Sequence, residues 1–194
     1  MGEVLARQQA PTRHRLDVGA YYRMAEADIL QPNDRVELID GEIFDRVPIG
    51  SAHGGTSNRF NRLFSRVAAE GRALVSVQGP LRLDAWNEPQ PDVMLLKLKA
   101  DDYRGGHPNA SDVLLLIEIS ETSLIHDRRT KLPVDAKFGV PEVWIIDLNG
   151  AAIEVCRDPG GDAYALQERL ASGSLSPVLV PGAADRRRRA AGVT

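Results

Sequence analysis

The chain has 194 residues, 43% of them apolar and 26% charged, with a formal net charge of −3. This is ordinary globular composition with enough chain for one domain and a buried core, and its acidic balance excludes nucleic-acid binding by bulk charge alone. The single cysteine, Cys156, excludes an intrachain disulfide and a cysteine-based zinc site.

Residues 1–13 read as a flexible lead without the apolar core of a signal segment. The spacing of apolar residues predicts a helix over 18–30, stopped by Pro32. In "RVELIDGEIFDRV", Asp40-Gly41 lies between two strand-like runs, the pattern of a hairpin with a two-residue type I′ turn. "IGSAHGG" is expected to be a loop. From Thr56 to Glu70, Phe60, Leu63, Phe64, Val67 and Ala68 form the stripe of an amphipathic helix that Gly71 closes.

"ALVSVQGPLRLD" alternates and reads as a strand bent at Gly79-Pro80. Val93–Leu96 and Val113–Ile117 are apolar on both faces and are therefore predicted to be central strands. "HDRRTKLPVDAKFG" is expected to be a helix, and two starts are compatible with Pro133. A cap at Thr130 leaves Pro133 in the first turn, whereas a cap at Asp127 costs a hydrogen bond. "PEVWIID", "AAIEVCRD" and "AYALQERL" read as further strands, and residues 173–194 as a disordered tail. The order of elements points to an α/β or α+β domain over 14–172, a mixed sheet flanked by helices. The longest apolar run, Val113–Ile117, is too short to span a bilayer, so the expected location is the cytoplasm.

Two of these strands end in acids. Asp92 opens one behind Pro91, and Glu118 follows the apolar run of the other. Two carboxylates on neighbouring central strands would be costly if unpaired, and a hard divalent cation with oxygen ligands resolves that cost. Lys131 and Lys137 follow on the next helix, and Lys131, near its start, is the better placed to reach back to the strand ends. Arg59, Arg62 and Arg66 share one helix face, as a phosphate-binding cluster or as a solvated surface. The run Arg186–Arg189 is either a source of salt-dependent attraction to nucleic acid or an ordinary charged tail.

The order acid, Pro-Asp, strand Glu, helix Lys resembles the PD-(D/E)XK nucleases. More closely, the chain resembles the Uma-two family of restriction-endonuclease-like proteins. The matching stretches are "YYRMAEADILQPNDRVELIDGEI", "PIGSAH", "VSVQGPLRLD", "EPQPDVMLLK", "DVLLLIEISETSL", "HDRRTKLP" and "GVPEVWIIDL", in the family's order. The resemblance implies a restriction-endonuclease-like fold with an N-terminal helix and β-hairpin. It also implies Mg²⁺ or Mn²⁺ held by Asp92 and Glu118, Glu37 as a further acid at the metal, Lys131 as the site lysine, and His53 nearby. The expected activity is metal-dependent hydrolysis of DNA, with RNA the lesser expectation because no aromatic stacking platform is visible in the sequence. The alternative is a nuclease-like module that binds nucleic acid, or assembles, with little or no hydrolysis. A homodimer through the strands after Trp144 fits the resemblance.

Two departures bear on the site. Ser120 stands two residues after the strand Glu, where the nuclease motif places its lysine, so Lys131 must substitute from the helix. Asp135 replaces the family's tyrosine four residues after Lys131, where it would either tie the lysine up or position it.

Overall fold

A computed structural model describes residues 12–31 and 33–183 with their side chains, and the backbone of 185–187. Asp17 caps the first helix, α1 (Val18–Glu26), by accepting from Ala20 N at 2.6 Å. The helix is shorter than its apolar spacing suggested, because the chain turns out of it and Asp28 takes a left-handed φ of 55°. The hairpin is as expected: β1 (Val36–Ile39) pairs with β2 (Glu42–Asp45) around Asp40 and Gly41, with φ 51° and 75°. Both central residues of a type I′ turn need positive φ, which this dipeptide accepts.

α2 (Ser51–Ala69) begins five residues earlier than the apolar stripe predicted. It absorbs all of the supposed loop "IGSAHGG" after Gly50, its N-cap, so His53 lies in its first turn. The two glycines there hid the helix from a reading by propensity.

β3 (Leu74–Val77), β4 (Val93–Leu96), β5 (Val113–Ser120), β6 (Glu142–Asp147), β7 (Ala152–Gly160) and β8 (Ala163–Leu170) form one six-stranded sheet in sequence order. Only the β5–β6 pair is parallel, so the sheet is mixed, as expected. β3 is shorter than the alternation suggested. Gln78 takes a φ of 53°, and Leu81 and Leu83 continue outside the sheet, bonded through their N–H groups to Pro89 O and Asn87 O. Of the last three strands of this sheet, β6 and β7 are enclosed by neighbours and β8 presents an edge.

Strand alternation sorts the side chains into two layers. Val93, Leu95, Leu115, Ile117, Ile119 and Trp144 pack under α2 with Phe60 and Phe64. Met94, Leu96, Leu116, Val143 and Ile145 face the opposite side, against Ala136 and Tyr164. Glu118 and Ser120 share a face with Leu116, and Asp92 shares one with Met94. The second layer therefore turns from apolar to polar at one end of β4 and β5.

The helical segment after β5 runs α3 (Leu124–His126), a π-turn over Asp127–Lys131, then α4 (Leu132–Lys137). Neither start considered from the sequence is used; Ser123 occupies the cap position. The π-turn explains how Pro133 is tolerated inside the helix. Leu132 N–H reaches Asp127 O, five residues back, just before the residue that lacks an N–H.

The segment from 173 departs from the expected disorder. β9 (Gly173–Leu175) pairs with β10 (Asp185–Arg187), and Leu175, Val180 and Ala183 join the core beneath α2. These apolar residues pack singly and have no period, so no pattern announced them. The expected lead over 1–11 and the arginines from 188 lie outside the described residues.

Asp135, on α4, is 2% exposed and its Oδ2 has no hydrogen-bond partner. Burial pushes its pKa up to about 7, beyond what Lys131 offsets, with Glu37 and Asp127 adding to the rise. A carboxyl raised from the ordinary 3.8 favours the folded state below that value and loses this advantage as pH rises to about 7. Asp135→Asn should remove this dependence. Its stability relative to wild type should grow between pH 4 and pH 7.5 and then level off, with an upper bound of about 4 kcal/mol. Urea unfolding of both proteins across that range measures it; a difference that does not change with pH would contradict a buried, titrating Asp135.

Candidate active site

The site is built where the polar ends of β4 and β5 meet the hairpin and the π-turn. The β4–β5 register pairs Val93 with Ile117 and Met94 with Leu116, and one further step sets Asp92 across from Glu118. Antiparallel neighbours of this kind bring their Cβ atoms to about 5 Å. Asp92 Oδ2 confirms the closeness by accepting from Ile119 N at 2.8 Å.

Lys131 enters from the π-turn and is 5% exposed. Its Nζ lies 2.6 Å from Glu118 Oε1 and 3.2 Å from Glu37 Oε2. The contact with Glu118 is the shorter of the two, a charge-assisted contact to Oε1. Glu37 is held more completely. Its Oε2 also accepts from Gln90 N at 3.0 Å, and its Oε1 lies 3.9 Å from His126 Nε2.

This difference separates the two acids electrostatically. Burial opposes charge on Glu37, but Lys131, His126, the Gln90 N–H and Arg46 outweigh it and bring its pKa down to about 2. Burial raises Glu118 well above the usual carboxylate range; Lys131 opposes the rise, while Asp92, Asp127 and Glu37 add to it. Burial also works against the Lys131 ammonium, yet Glu118, Glu37 and Asp127 hold its pKa above the ordinary value. These carboxylates favour the charged form of Lys131.

Asp92 is fixed from several sides. His53 Nε2 is 3.0 Å from Oδ2, and Arg46 Nη2 is 3.6 Å from Oδ1. Arg46 also donates to Gln90 Oε1 at 3.0 Å. Asp127 accepts from Ser120 Oγ at 2.6 Å and Ser123 Oγ at 2.7 Å, which anchors the start of the π-turn to β5. Lys131 and Asp135 do not pair: Lys131 turns to Glu37 and Glu118, and Asp135 Oδ2 is left alone.

All five side chains singled out in the sequence, Glu37, His53, Asp92, Glu118 and Lys131, line one cleft of about 280 Å³. Lys137 does not line it, and Arg59, Arg62 and Arg66 are exposed on α2 away from its lining. Arg46, Asp127 and His126 line it too and went unnoticed. Strand alternation could have found Arg46, which stands two residues after Phe44, the register partner of Glu37. Nothing in the sequence marks Asp127 or His126, whose placement depends on the π-turn. Asp92 and Glu118 supply carboxylate oxygens, the donor class of Mg²⁺ and Mn²⁺. Among the described residues no group of three or more His, Cys, Asp or Glu side chains is assembled to hold a metal ion.

The fold has a solved counterpart. It matches, with a TM-score of 0.61 and 15% identity, a crystal structure described as "a putative nuclease belonging to DUF820" from Anabaena variabilis, over 81% of this chain and 90% of that one. No curated protein matches the sequence. The sequence model of the Uma2 family, described as "Putative restriction endonuclease", matches residues 18–186. The chain belongs to the Uma2 family.

Proposed function

We propose that this protein is a divalent-metal-dependent endonuclease that hydrolyses phosphodiester bonds of DNA. The observation that carries the reading is the Lys131 ammonium, delivered from a helix to within 2.6 Å of Glu118, on the strand that neighbours Asp92. The family's description as a restriction endonuclease supports the same reaction class.

Asp92 and Glu118 would hold Mg²⁺ or Mn²⁺. Glu118 is suited to it, because its carboxylate lines the cleft at the end of β5, across from Asp92, and burial there disfavours a charge that Lys131 opposes only in part. Two carboxylates suffice for Mg²⁺, which keeps several of its waters. When bound, such an ion polarises the scissile phosphate and acidifies a water. Glu37 is the further acid, and with Oε2 already engaged it offers Oε1 alone. Lys131 keeps its proton and stabilises the charge that develops on the phosphoryl oxygens. His53 holds the Asp92 carboxylate in place from α2.

One observation favours the competing reading of a module that binds without cleaving: Lys131 already neutralises part of the charge on Glu37 and Glu118. Cleavage decides between them. A homodimer would form along β8, the sheet edge after Trp144.

Wild-type protein should nick supercoiled plasmid with Mg²⁺ or Mn²⁺ and not with EDTA. Asp92→Asn and Glu118→Gln should each reduce the rate by about 10²-fold or more. Equal nicking by all three proteins would exclude this site, and no nicking by any would favour the binding module.

Lys131→Met leaves two buried carboxylates without their cation. It should cost about 3–5 kcal/mol in urea unfolding, and Mn²⁺ should restore part of this loss but not in a Lys131→Met/Glu118→Gln double variant. Unchanged stability in Lys131→Met would show that the ammonium does not bind the three elements together.

A further inference from the structure

The hairpin presents more to the cleft than Glu37. Residues two apart in a strand share a face, so Arg35 goes with Glu37 and Arg46 with Phe44. The register places Glu37 across from Phe44, and Arg46 N donates to Arg35 O at 2.6 Å one step further out. All four residues line the cleft. The inner pair is thus an acid beside an aromatic ring, and the outer pair is two arginines face to face.

Like charges directly across a strand pair repel. Arg46 has Asp92 and Gln90 as partners. No ion pair or hydrogen bond is formed by the Arg35 guanidinium among the described residues, so an anion beside it would relieve the repulsion. Phe44 and His126 both line the cleft, with ring centroids 5.0 Å apart and planes at 49°. Val47, Pro48 and Ile49 continue the wall from Arg46, and Val47 and Ile49 are 53% and 39% exposed. Asp45 and Glu121 also line the cleft, so its recognition of a polyanion depends on placed cations and ring contacts.

We infer that this hairpin face is a docking surface for an unpaired segment of a nucleic-acid strand, with a base stacked on the Phe44–His126 wall and the adjoining phosphate on Arg35. The inference rests on the nuclease reading and specifies its substrate. An aromatic and aliphatic wall beside one unpaired guanidinium matches a base with its phosphate. In a duplex the base faces are stacked on one another, and only base edges and the sugar–phosphate backbone would meet this wall. Stacking on aromatic side chains is how sequence-tolerant single-strand binders gain affinity.

The test is fluorescence anisotropy with a 5′-labelled mixed-sequence oligodeoxynucleotide, single-stranded and as its duplex, in Ca²⁺ so that cleavage does not consume the probe. The single strand should bind more tightly than the duplex. Phe44→Leu, which keeps apolar bulk but removes the ring, should weaken single-strand binding about tenfold. Arg35→Gln should weaken it and reduce the slope of log Kd against log salt by about 0.7. Melting curves check that both variants are folded. Duplex binding as tight as single-strand binding, or an unchanged Kd in folded Phe44→Leu, overturns the inference. If plasmid nicking nevertheless requires Asp92 and Glu118, only this docking surface falls and the nuclease reading stands. If neither oligonucleotide binds and the plasmid is not nicked, both fall.

Discussion

One buried ammonium joins three parts of this protein. Lys131 reaches from the π-turn to Glu37 on β1 and Glu118 on β5, with all three side chains about 5% exposed. Its desolvation is a large cost that only close carboxylates offset. The hairpin, the central sheet and the helix are therefore held in one arrangement by a charge none of them could bury alone. The same contact makes the cleft, because it brings the polar ends of β4 and β5 under the hairpin face.

The charges around that lysine do not balance. Glu37, Asp92, Glu118, Asp127 and Asp135 are all buried, and the cations facing them are Lys131 and Arg46, with the imidazoles of His53 and His126 beside Asp92 and Glu37. Asp127 is compensated by two serine hydroxyls and Asp92 by the Ile119 N–H with His53 and Arg46. Glu118 and Asp135 carry the remainder, and burial raises both. They resolve the excess differently. Asp135 lies behind Lys131 and outside the cleft lining, where a proton is the available partner. Glu118 lines the cleft, where its carboxylate is open to whatever the cleft binds.

Much of this was legible because it depends on short-range rules. Asp40-Gly41 dictates its own turn, and two-faced apolar runs place β4 and β5 at the centre. Strand ends in an apolar sheet are also where an acid is conspicuous, which marked Asp92 and Glu118. What failed to show depends on contacts between segments distant in sequence. Glycines concealed the start of α2, and with it the position of His53. Leu175, Val180 and Ala183 are buried through tertiary packing without any period. The Phe44–His126 pair joins residues 82 apart, so nothing in the sequence shows that the fold brings these two rings together.

The departure at Ser120 has a physical counterpart in the helix. A lysine at that position would project from β5 toward the site on the same face as Glu118. Ser120 instead donates to Asp127, the first residue of the π-turn, and Ser123 donates to the same oxygen. Asp127 O in turn receives Leu132 N–H across the wide turn. Ser120 thus helps fix the segment that carries Lys131. The wide turn accommodates Pro133, and it ends at Lys131, setting the direction from which that side chain enters. A regular α-helix through this stretch would rotate Lys131 relative to Asp127, and the ammonium would no longer be aimed between Glu37 and Glu118. Lys131, Ser120 and Pro133 are therefore structurally linked through the π-turn, Ser120 by anchoring Asp127 at its start and Pro133 by following it.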